Sequence, residues 1–273
     1  MLLSLHDRVG VELSPQSVTW VRMARGLGAK VLAKGHEQVL PQPGEPLWQS
    51  AVHKLRHMIL AETWKGADVT MVLSNHFVRY DCLPWNDAVN NEDEQLVFAR
   101  HRLTQIYGSA AQAWAITLSP GRKGDARIVA AVDDTFLQTL KQAITEEGIK
   151  LHSIQPYLMA SFNRYIKTIG QGSGWFVAAE AGRFALALFH EGQWKRVLLR
   201  RGGDMSMLHE WLERESLTSG DNVPSREVFL FAPDWPRDVG LPSYTLHRLE
   251  LPACQGFSPI TDGQYAIAMS GVA

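Results

Sequence analysis

The first seventy residues alternate between short apolar runs and polar turns, and this pattern predicts strands and helices in a regular order. Two alternating runs at 8–12 and 17–23 flank a short turn, which is typical of a β-hairpin. A third strand is predicted at 30–38. Apolar residues then recur with helical spacing over 48–62, and an almost wholly apolar run at 68–74 indicates a buried strand.

The middle of the chain combines extended segments with two amphipathic helices. Acidic residues in the first turn of one predicted helix complement its dipole, and Gly148 ends the next helix. From residue 113 the order strand, strand, helix and strand predicts a compact sheet covered by one helix. The predicted strands are 77–84, 113–118, 126–132 and 149–154, and the predicted helices are 92–107, 135–147 and 156–167.

A glycine-rich stretch, 170–174, is predicted to link two halves that share an order of elements. Each half opens with three strands joined by turns, and each continues with a helix and a short apolar strand. An internal repeat of this size predicts two similar sheets that face a cleft, although β-meanders followed by helices are also common in general. The second half has predicted strands at 175–180, 183–190, 194–200, 227–231 and 244–249, and predicted helices at 204–217 and 261–272.

The composition is that of a soluble globular protein. Hydrophobic residues make up 45% of the 273 positions, charged residues make up 20%, and the net charge is −1. This balance produces no overall field that would attract nucleic acid or an anionic membrane. The apolar N-terminal stretch is too short for a signal peptide, and no window of about 18 apolar residues is free of charge. We therefore expect a cytoplasmic protein that does not insert into the membrane.

Motifs of common hydrolytic and metal-dependent enzymes are absent. Cys82 and Cys254 have no CxxC spacing, so a reducing compartment is expected. His53 and His57 have a helical spacing that can chelate a metal, but the flanking basic residues favour a solvent-facing strip. The chain has no G-x-S-x-G, H-E-x-x-H or P-loop motif. We expect neither catalytic residues nor a metal.

Four segments together resemble the actin-like ATPase superfamily. Within it they are similar to the PilM branch of type IV pilus assembly proteins, which also includes the cytoplasmic lobe of GspL and MshI-like proteins. The segments are the opening hairpin at 9–21, residues 130–160, residues 175–204 and the closing helix at 265–271. Because the matching motifs are short and spread over nearly the whole chain, the likeness is one of fold.

The resemblance implies a two-lobed actin-like α/β fold, which duplicates a ribonuclease H-like unit. The first lobe would span 1–169 and would include a small inserted subdomain at about 79–154. The second lobe would span 175–273.

In actin-like ATPases the turn of the opening hairpin approaches the phosphates, and an acid there holds a metal-bound water. The resemblance places this turn at Glu12–Gln16. Glu12 stands where an Asp is expected, and Pro15 removes a backbone N–H donor, although the Ser14 hydroxyl could still serve. These departures indicate a degraded phosphate turn.

The second phosphate turn and the adenosine turn also depart from the family pattern. Glu180 and Gly182 keep an acid and a glycine, but Ala178 or Ala179 stands where an Asp is expected. The Gly-Gly pair of the adenosine turn is replaced by a segment that contains Pro233 and Trp235. We therefore predict a degenerate nucleotide site in which both glutamates are solvated turn acids.

The resemblance implies a non-catalytic scaffold, a pseudo-ATPase without a cofactor, that is peripheral to the inner membrane. Its partner would be the cytoplasmic tail of a PilN-like bitopic inner-membrane pilus-assembly protein, and an assembly ATPase would be a further partner. The tail would dock around 79–118 and the facing helix 135–147. Arg79, Tyr80 and Trp85 are the candidate partner-binding residues.

Two enzymatic alternatives stay open. An active actin-like ATPase would bind Mg-ATP in the interlobe cleft through a set of turn residues. A small-molecule kinase of the same superfamily would need a catalytic Asp, for which Asp133 and Asp134 are the nearest acids, although they are predicted to cap a helix. The turn residues of the ATPase alternative are Glu12, Ser14, Glu180 and Gly182.

Two surface features each allow two interpretations. The densest basic cluster lies on a predicted strand, where residues 196 and 200 share one face and residues 195 and 201 share the other. This cluster would either bind an acidic partner or place charges on a sheet edge, where they prevent aggregation. Trp85 and Trp235 follow prolines in loops, where aromatic residues serve peptide recognition or local packing.

Overall fold

A computed structural model describes residues 6–26, 28–61, 64–89, 91–218, 226–238 and 240–272. The described residues form three β-sheets and six α-helices. The strands are β1 (Arg8–Leu13), β2 (Ser17–Met23), β3 (Val31–Gln38), β4 (Asp68–Leu73), β5 (Val78–Leu83), β6 (Trp114–Leu118), β7 (Arg127–Asp133), β8 (Lys150–Pro156), β9 (Gly174–Glu180), β10 (Arg183–His190), β11 (Gln193–Arg201), β12 (Glu227–Phe231) and β13 (Thr245–Arg248). The helices are α1 (Gln49–Ala61), α2 (Glu92–Tyr107), α3 (Asp134–Thr145), α4 (Tyr157–Ile169), α5 (Met205–Thr218) and α6 (Ala266–Ser270).

The first sheet has the strand order β3-β2-β1-β4-β8. β1, β2 and β3 form an antiparallel meander, and β4 and β8 add in parallel to β1. β1 and β4 are buried along almost their whole length, which explains their nearly continuous apolar sequences. β3 lies at the edge and exposes five of its eight residues, so its sequence is more polar.

The second sheet repeats this arrangement with the strand order β11-β10-β9-β12-β13. β9, β10 and β11 form the meander, and β12 and β13 continue in parallel. The helix α5 packs on this sheet through Leu208 and Leu212, which are both fully buried. The repeat that the sequence predicts is therefore present as two sheets of identical topology.

The third sheet is small and has the order β5-β7-β6. Its core joins α2 to the sheet through Ala99 and Leu103, which pack against Val129 and Ala131 of β7. The strand predicted at 149–154 was grouped with this inserted sheet, but the structure pairs it, as β8, with β4 in the first sheet. Parallel pairing with β4 makes β8 a partly exposed end strand of the first sheet, which sequence order alone does not reveal.

Contacts divide the chain into two compact units, and each is built from separate segments. The first unit comprises residues 1–77, 135–164 and 250–273, and the second comprises residues 78–134 and 165–249. These boundaries differ from the predicted lobes at 1–169 and 175–273, because the inserted sheet groups with the second unit. The closing segment groups with the first unit because α6 packs on β1 and β2.

The closing helix is shorter than the predicted span of 261–272. It consists of a 3-10 turn at Gly263–Tyr265 followed by the five residues of α6. All five are buried, so the apolar small-residue pattern in the sequence reflects close packing.

Candidate functional site

The turn between β1 and β2 is the place where the sequence predicts the first phosphate loop, and its polar groups bond to one another. The Ser14 hydroxyl accepts hydrogen bonds from the backbone N–H groups of Gln16 at 3.3 Å and Ser17 at 3.0 Å. The Ser14 N–H donates to the Ser17 carbonyl at 3.0 Å. Since Pro15 has no N–H, the backbone donors at 14, 16 and 17 are all engaged within the turn or with its serine.

Glu12 and Glu180 are buried, which corrects the expectation that they are solvated turn acids. Each is only 7% exposed. Glu12 lies within β1, in register with Thr19 of β2 and Val72 of β4, and Glu180 is the last residue of β9. The reason is that both carboxylates belong to central strands with neighbours on both sides, and a buried carboxylate requires compensating polar contacts.

The second predicted phosphate turn is a tight two-residue connection between β9 and β10. Glu180 stands opposite Arg183 across this turn, and Gly182 has a φ of +74°, which favours glycine. The Gly202 N–H donates to the Gly182 carbonyl at 3.3 Å. Gly182 therefore provides the left-handed backbone conformation that the hairpin turn needs. Its carbonyl also accepts a hydrogen bond from Gly202, at the start of the segment between β11 and α5.

The predicted adenosine turn after β12 is filled by a packed aromatic side chain. Trp235 meets the ring of Phe184 edge-on, with centroids 5.4 Å apart. The Arg248 guanidinium donates to the backbone carbonyls of Trp235 at 3.2 Å and Pro236 at 2.6 Å. Of the two interpretations of Trp235, the structure supports local packing.

The candidate partner residues lie in two different environments of the second unit. The Trp85 indole N–H donates to Asp87 at 2.8 Å, within the loop after β5. Tyr80 is buried on β5, with 5% exposure, and Arg79 donates to the Val78 carbonyl at 3.1 Å. Tyr80 faces a groove that Trp85 does not line.

This groove is an open cavity of about 850 Å³ within the second unit, and we call it the basic groove. It runs between β5 and the end of α2 on one side and β11 and α5 on the other. Its lining residues are Tyr80, Asp81, Cys82, Arg102, Ile106, Tyr107, Lys195, Arg196, Val197, Leu198, Leu199, Arg200, Trp211, Arg214 and Glu215.

A buried carboxylate organises one wall of the basic groove. Glu215 on α5 accepts from Arg196 at 3.0 Å and from Arg200 at 2.6 Å. The Arg200 guanidinium also lies over the Trp211 ring, 4.8 Å from its centroid, and the Arg214 guanidinium lies 5.3 Å from the same centroid. The predicted shared face of residues 196 and 200 is confirmed, because both side chains reach the same carboxylate.

The opposite wall holds a second ion pair and a thiol. Arg102 donates to both carboxylate oxygens of Asp81, at 2.7 and 3.1 Å, and this bidentate bond raises the pKa of Arg102. Burial, together with the charge of the adjacent Asp81, raises the pKa of the Cys82 thiol to about 11. Cys82 is therefore a protonated, weakly nucleophilic thiol at neutral pH.

Sequence reasoning found the β11 side of this groove and, on the β5 side, Tyr80. Arg102 lies on α2, which is far from β11 in the chain. Trp211 and Arg214 lie on α5, which follows β11 directly, but no local pattern joined them to the basic cluster. Alternating basic residues on a predicted edge strand were the signal for the β11 side.

The first unit has a cavity of about 540 Å³ lined by α1, the loop before it and Thr139 of α3. His53 and His57 both line it, with ring centroids 5.0 Å apart in an edge-on arrangement. Among the described residues no group of three or more His, Cys, Asp or Glu side chains is placed to hold a metal ion.

Asp133 ends β7 and Asp134 begins α3, the helix that they were predicted to cap.

The structure has two five-stranded sheets of identical topology and a small inserted sheet. This is the arrangement of an actin-like α/β fold, and comparison with solved structures supports the same fold. One similar structure is the PilM-PilN type IV pilus biogenesis complex, with a TM-score of 0.58 and 13% identity over 82% of this chain and 80% of that chain. Another is the cytoplasmic domain of EpsL, an inner membrane component of the type II secretion system of Vibrio cholerae. It has a TM-score of 0.57 and 13% identity over 97% of this chain and 94% of that chain.

A third similar structure is a protein of Bacteroides thetaiotaomicron with an actin-like ATPase fold and unknown function. Its TM-score is 0.55, with 10% identity over 84% of this chain and 82% of that chain. No protein-family model and no curated protein sequence matches this chain. At these identities the similarity establishes the fold, and the predicted likeness to PilM and GspL-type proteins is confirmed at that level.

No helix in the described part of the chain is both long and apolar enough to cross a membrane.

Proposed function

We propose that this protein is a non-catalytic actin-like scaffold of a type IV pilus or type II secretion-type assembly machine. It would be cytoplasmic and would reach the inner membrane through its partners. The fold shared with PilM and with the EpsL cytoplasmic domain supports the class of machine.

The observation that best supports a non-catalytic role is the turn between β1 and β2, whose backbone N–H groups bond within the turn. A phosphate loop needs backbone N–H groups that point at the ligand. Here the N–H groups of Gln16 and Ser17 bond to the Ser14 hydroxyl, and the Ser14 N–H bonds to the Ser17 carbonyl. Phosphate binding would have to break these bonds, and Pro15 offers no replacement donor.

The proposed partner is the cytoplasmic tail of a PilN-like bitopic inner-membrane protein, with an assembly ATPase as a further partner. The similarity to the PilM-PilN complex supports this choice. The tail would bind the region around 79–118, with Arg79, Tyr80 and Trp85 as candidate contacts. The Trp85 ring is only partly buried, and therefore a partner can still contact it.

Thermal unfolding with two ligands tests this proposal. A ligand present at 100 times its Kd stabilises the folded state by about 2.7 kcal/mol, which raises the Tm by several degrees. We expect no shift with millimolar Mg-ATP and a clear shift with a synthetic tail peptide of the PilN-like protein. A shift with Mg-ATP alone would contradict the scaffold role.

The alternative function is an active actin-like ATPase, and the burial of Glu12 and Glu180 favours it. Buried acids at the ends of β1 and β9 are suited to hold a metal-bound water near phosphates, with Ser14 and Gly182 in the adjoining turns. Under this alternative Mg-ATP stabilises the wild type, and Glu12→Gln abolishes the shift. Without a wild-type shift the alternative fails.

A further inference from the structure

The basic groove carries an excess of positive charge that its own acids do not balance. Five basic side chains line it against two acidic ones, which leaves a net charge of +3. Both acids are already paired, Asp81 with Arg102 and Glu215 with Arg196 and Arg200. The chain as a whole has a net charge of −1, so this excess is a local feature.

More arginines extend the positive charge beyond the groove, on β5, β10 and β11. Arg183 of β10 stands directly opposite Arg201 of β11, and like charges in such a cross-strand pair are destabilising. Burial lowers the pKa of Arg183, and the charge of the nearby Arg79 lowers it further.

The groove also has apolar walls. Ile106 of α2 is 55% exposed, and the side chain of Leu198 lines the opposite wall together with the Trp211 ring. β5 and β11 are the end strands of their sheets, and local side chains bond two of their backbone carbonyls. Arg79 bonds the Val78 carbonyl, and the Trp211 indole N–H bonds the Arg201 carbonyl. Recognition in this groove therefore depends on side chains more than on a backbone ladder.

We propose that the basic groove is a docking site for an acidic, extended peptide segment of a partner protein, with apolar residues between its carboxylates. Carboxylates complement the +3 charge, and the apolar residues complement Ile106 and Leu198. A concave groove does not fit a flat lipid surface. Nucleic acid bases would need free aromatic faces, but two guanidinium groups lie over the Trp211 ring, and the Tyr107 ring packs edge-on against Trp114. This inference stands on the groove itself and does not rest on the proposed scaffold role.

Fluorescence anisotropy with a defined probe tests the proposal. The probe is a fluorescein-labelled ten-residue peptide with five Glu, three Ser and two Leu, and the comparison peptide has Gln at every Glu position. We expect saturable binding of the Glu peptide to the whole protein, at least about tenfold tighter than the Gln peptide, and weaker binding as salt rises. Equal binding of the two peptides would overturn the proposal.

A charge-reversed variant locates the site. Lys195→Glu with Arg214→Glu changes two exposed side chains of the groove, and we expect it to weaken binding of the Glu peptide at least about tenfold. The matched control is Arg122→Glu with Lys123→Glu, which reverses two exposed charges in the turn between β6 and β7 and should change binding less than about twofold. An equal loss in both variants would overturn the proposal.

Two further measurements keep the result interpretable. If the reversed variant melts at a lower temperature than the wild type, Lys195→Gln with Arg214→Gln replaces it, and a loss of binding is still expected. Sedimentation with phosphatidylglycerol vesicles is measured in parallel. The proposal would be overturned if the wild type bound the vesicles but not the Glu peptide, and if the groove variant lost the vesicle binding. That result would assign the groove to a membrane surface.

Discussion

Gly10 shows how one residue allows two elements of the first unit to pack. It lies on β1, and a Cβ atom at this position would stand 2.1 Å from the Ala268 carbonyl oxygen and 2.9 Å from a Val272 methyl. Only glycine lets α6 approach the strand so closely. The carbonyl belongs to a helix backbone, so it cannot move aside as a flexible side chain would.

Gly10→Ala is therefore expected to destabilise the protein, by about 1–3 kcal/mol, because overpacking at a rigid contact forces the backbone to shift. Denaturant unfolding monitored by tryptophan fluorescence measures the change. Gly28→Ala is the control, since a Cβ there meets no atom within 4 Å, and its midpoint should stay close to that of the wild type. Equal denaturant midpoints for the two variants would show that the packing of α6 on β1 does not require glycine at position 10.

The pairing of β11 with α5 is the feature that shapes the basic groove at the level of elements. Alternation along β11 puts Arg196 and Arg200 on one face, and α5 presents Glu215 to that face. The side chain of Glu215 is 6% exposed, whereas those of Arg196 and Arg200 are 34% and 26% exposed. The acid is thus the buried member of a three-residue network, and its loss leaves two arginines without their partner.

Glu215→Gln is expected to cost about 1–2 kcal/mol of stability. A fully buried pair would lose about 3–5 kcal/mol, and the partial exposure of both arginines reduces this figure. Thermal and denaturant unfolding measure the loss. Glu210→Gln changes an exposed acid on the same helix and should stay within about 0.5 kcal/mol of the wild type. A loss of the same size in the Glu210 variant would argue against the network.

At the scale of the whole molecule, neither compact unit is a continuous stretch of chain. The first unit is assembled from three segments, and residues 250–273 return to it after the second unit is complete. The buried residues of this last segment include Ile267, Ala268 and Met269. The stability of β1 and β2 therefore depends on the last residues of the chain.

Deletion of residues 263–273 should destabilise the first unit by about 3 kcal/mol or more, because it removes the apolar contacts of α6 from β1 and β2. Hydrogen exchange is the measurement, and faster exchange is expected in β1, β2 and β4. Ile260→Ala is the control, since Ile260 is 74% exposed and its truncation should leave exchange unchanged. If hydrogen exchange in β1 were unchanged after the deletion, the stability of β1 would not depend on α6.

Much of this architecture was predictable because local patterns encode it. The apolar runs of β1 and β4, the tight turn at Gly182 and the helix stop at Gly148 are all local signals. Gly148 has a φ of +69° shortly after α3, as a glycine that ends a helix should. The repeat of strands and helices was sufficient to predict two sheets of the same kind, and the fold comparison confirms that prediction.

The sequence by itself determined the order of strands and helices, the duplicated sheet and the position of the basic residues on β11, because periodicity and turn chemistry act over a few residues. Only the tertiary structure decided that Glu12 and Glu180 are buried, that β8 joins the first sheet and that Trp235 packs on Phe184. It also brought Arg102 and Arg214 to the groove beside β11. Burial and the convergence of charges depend on residues distant in the chain, and no local pattern contains that information.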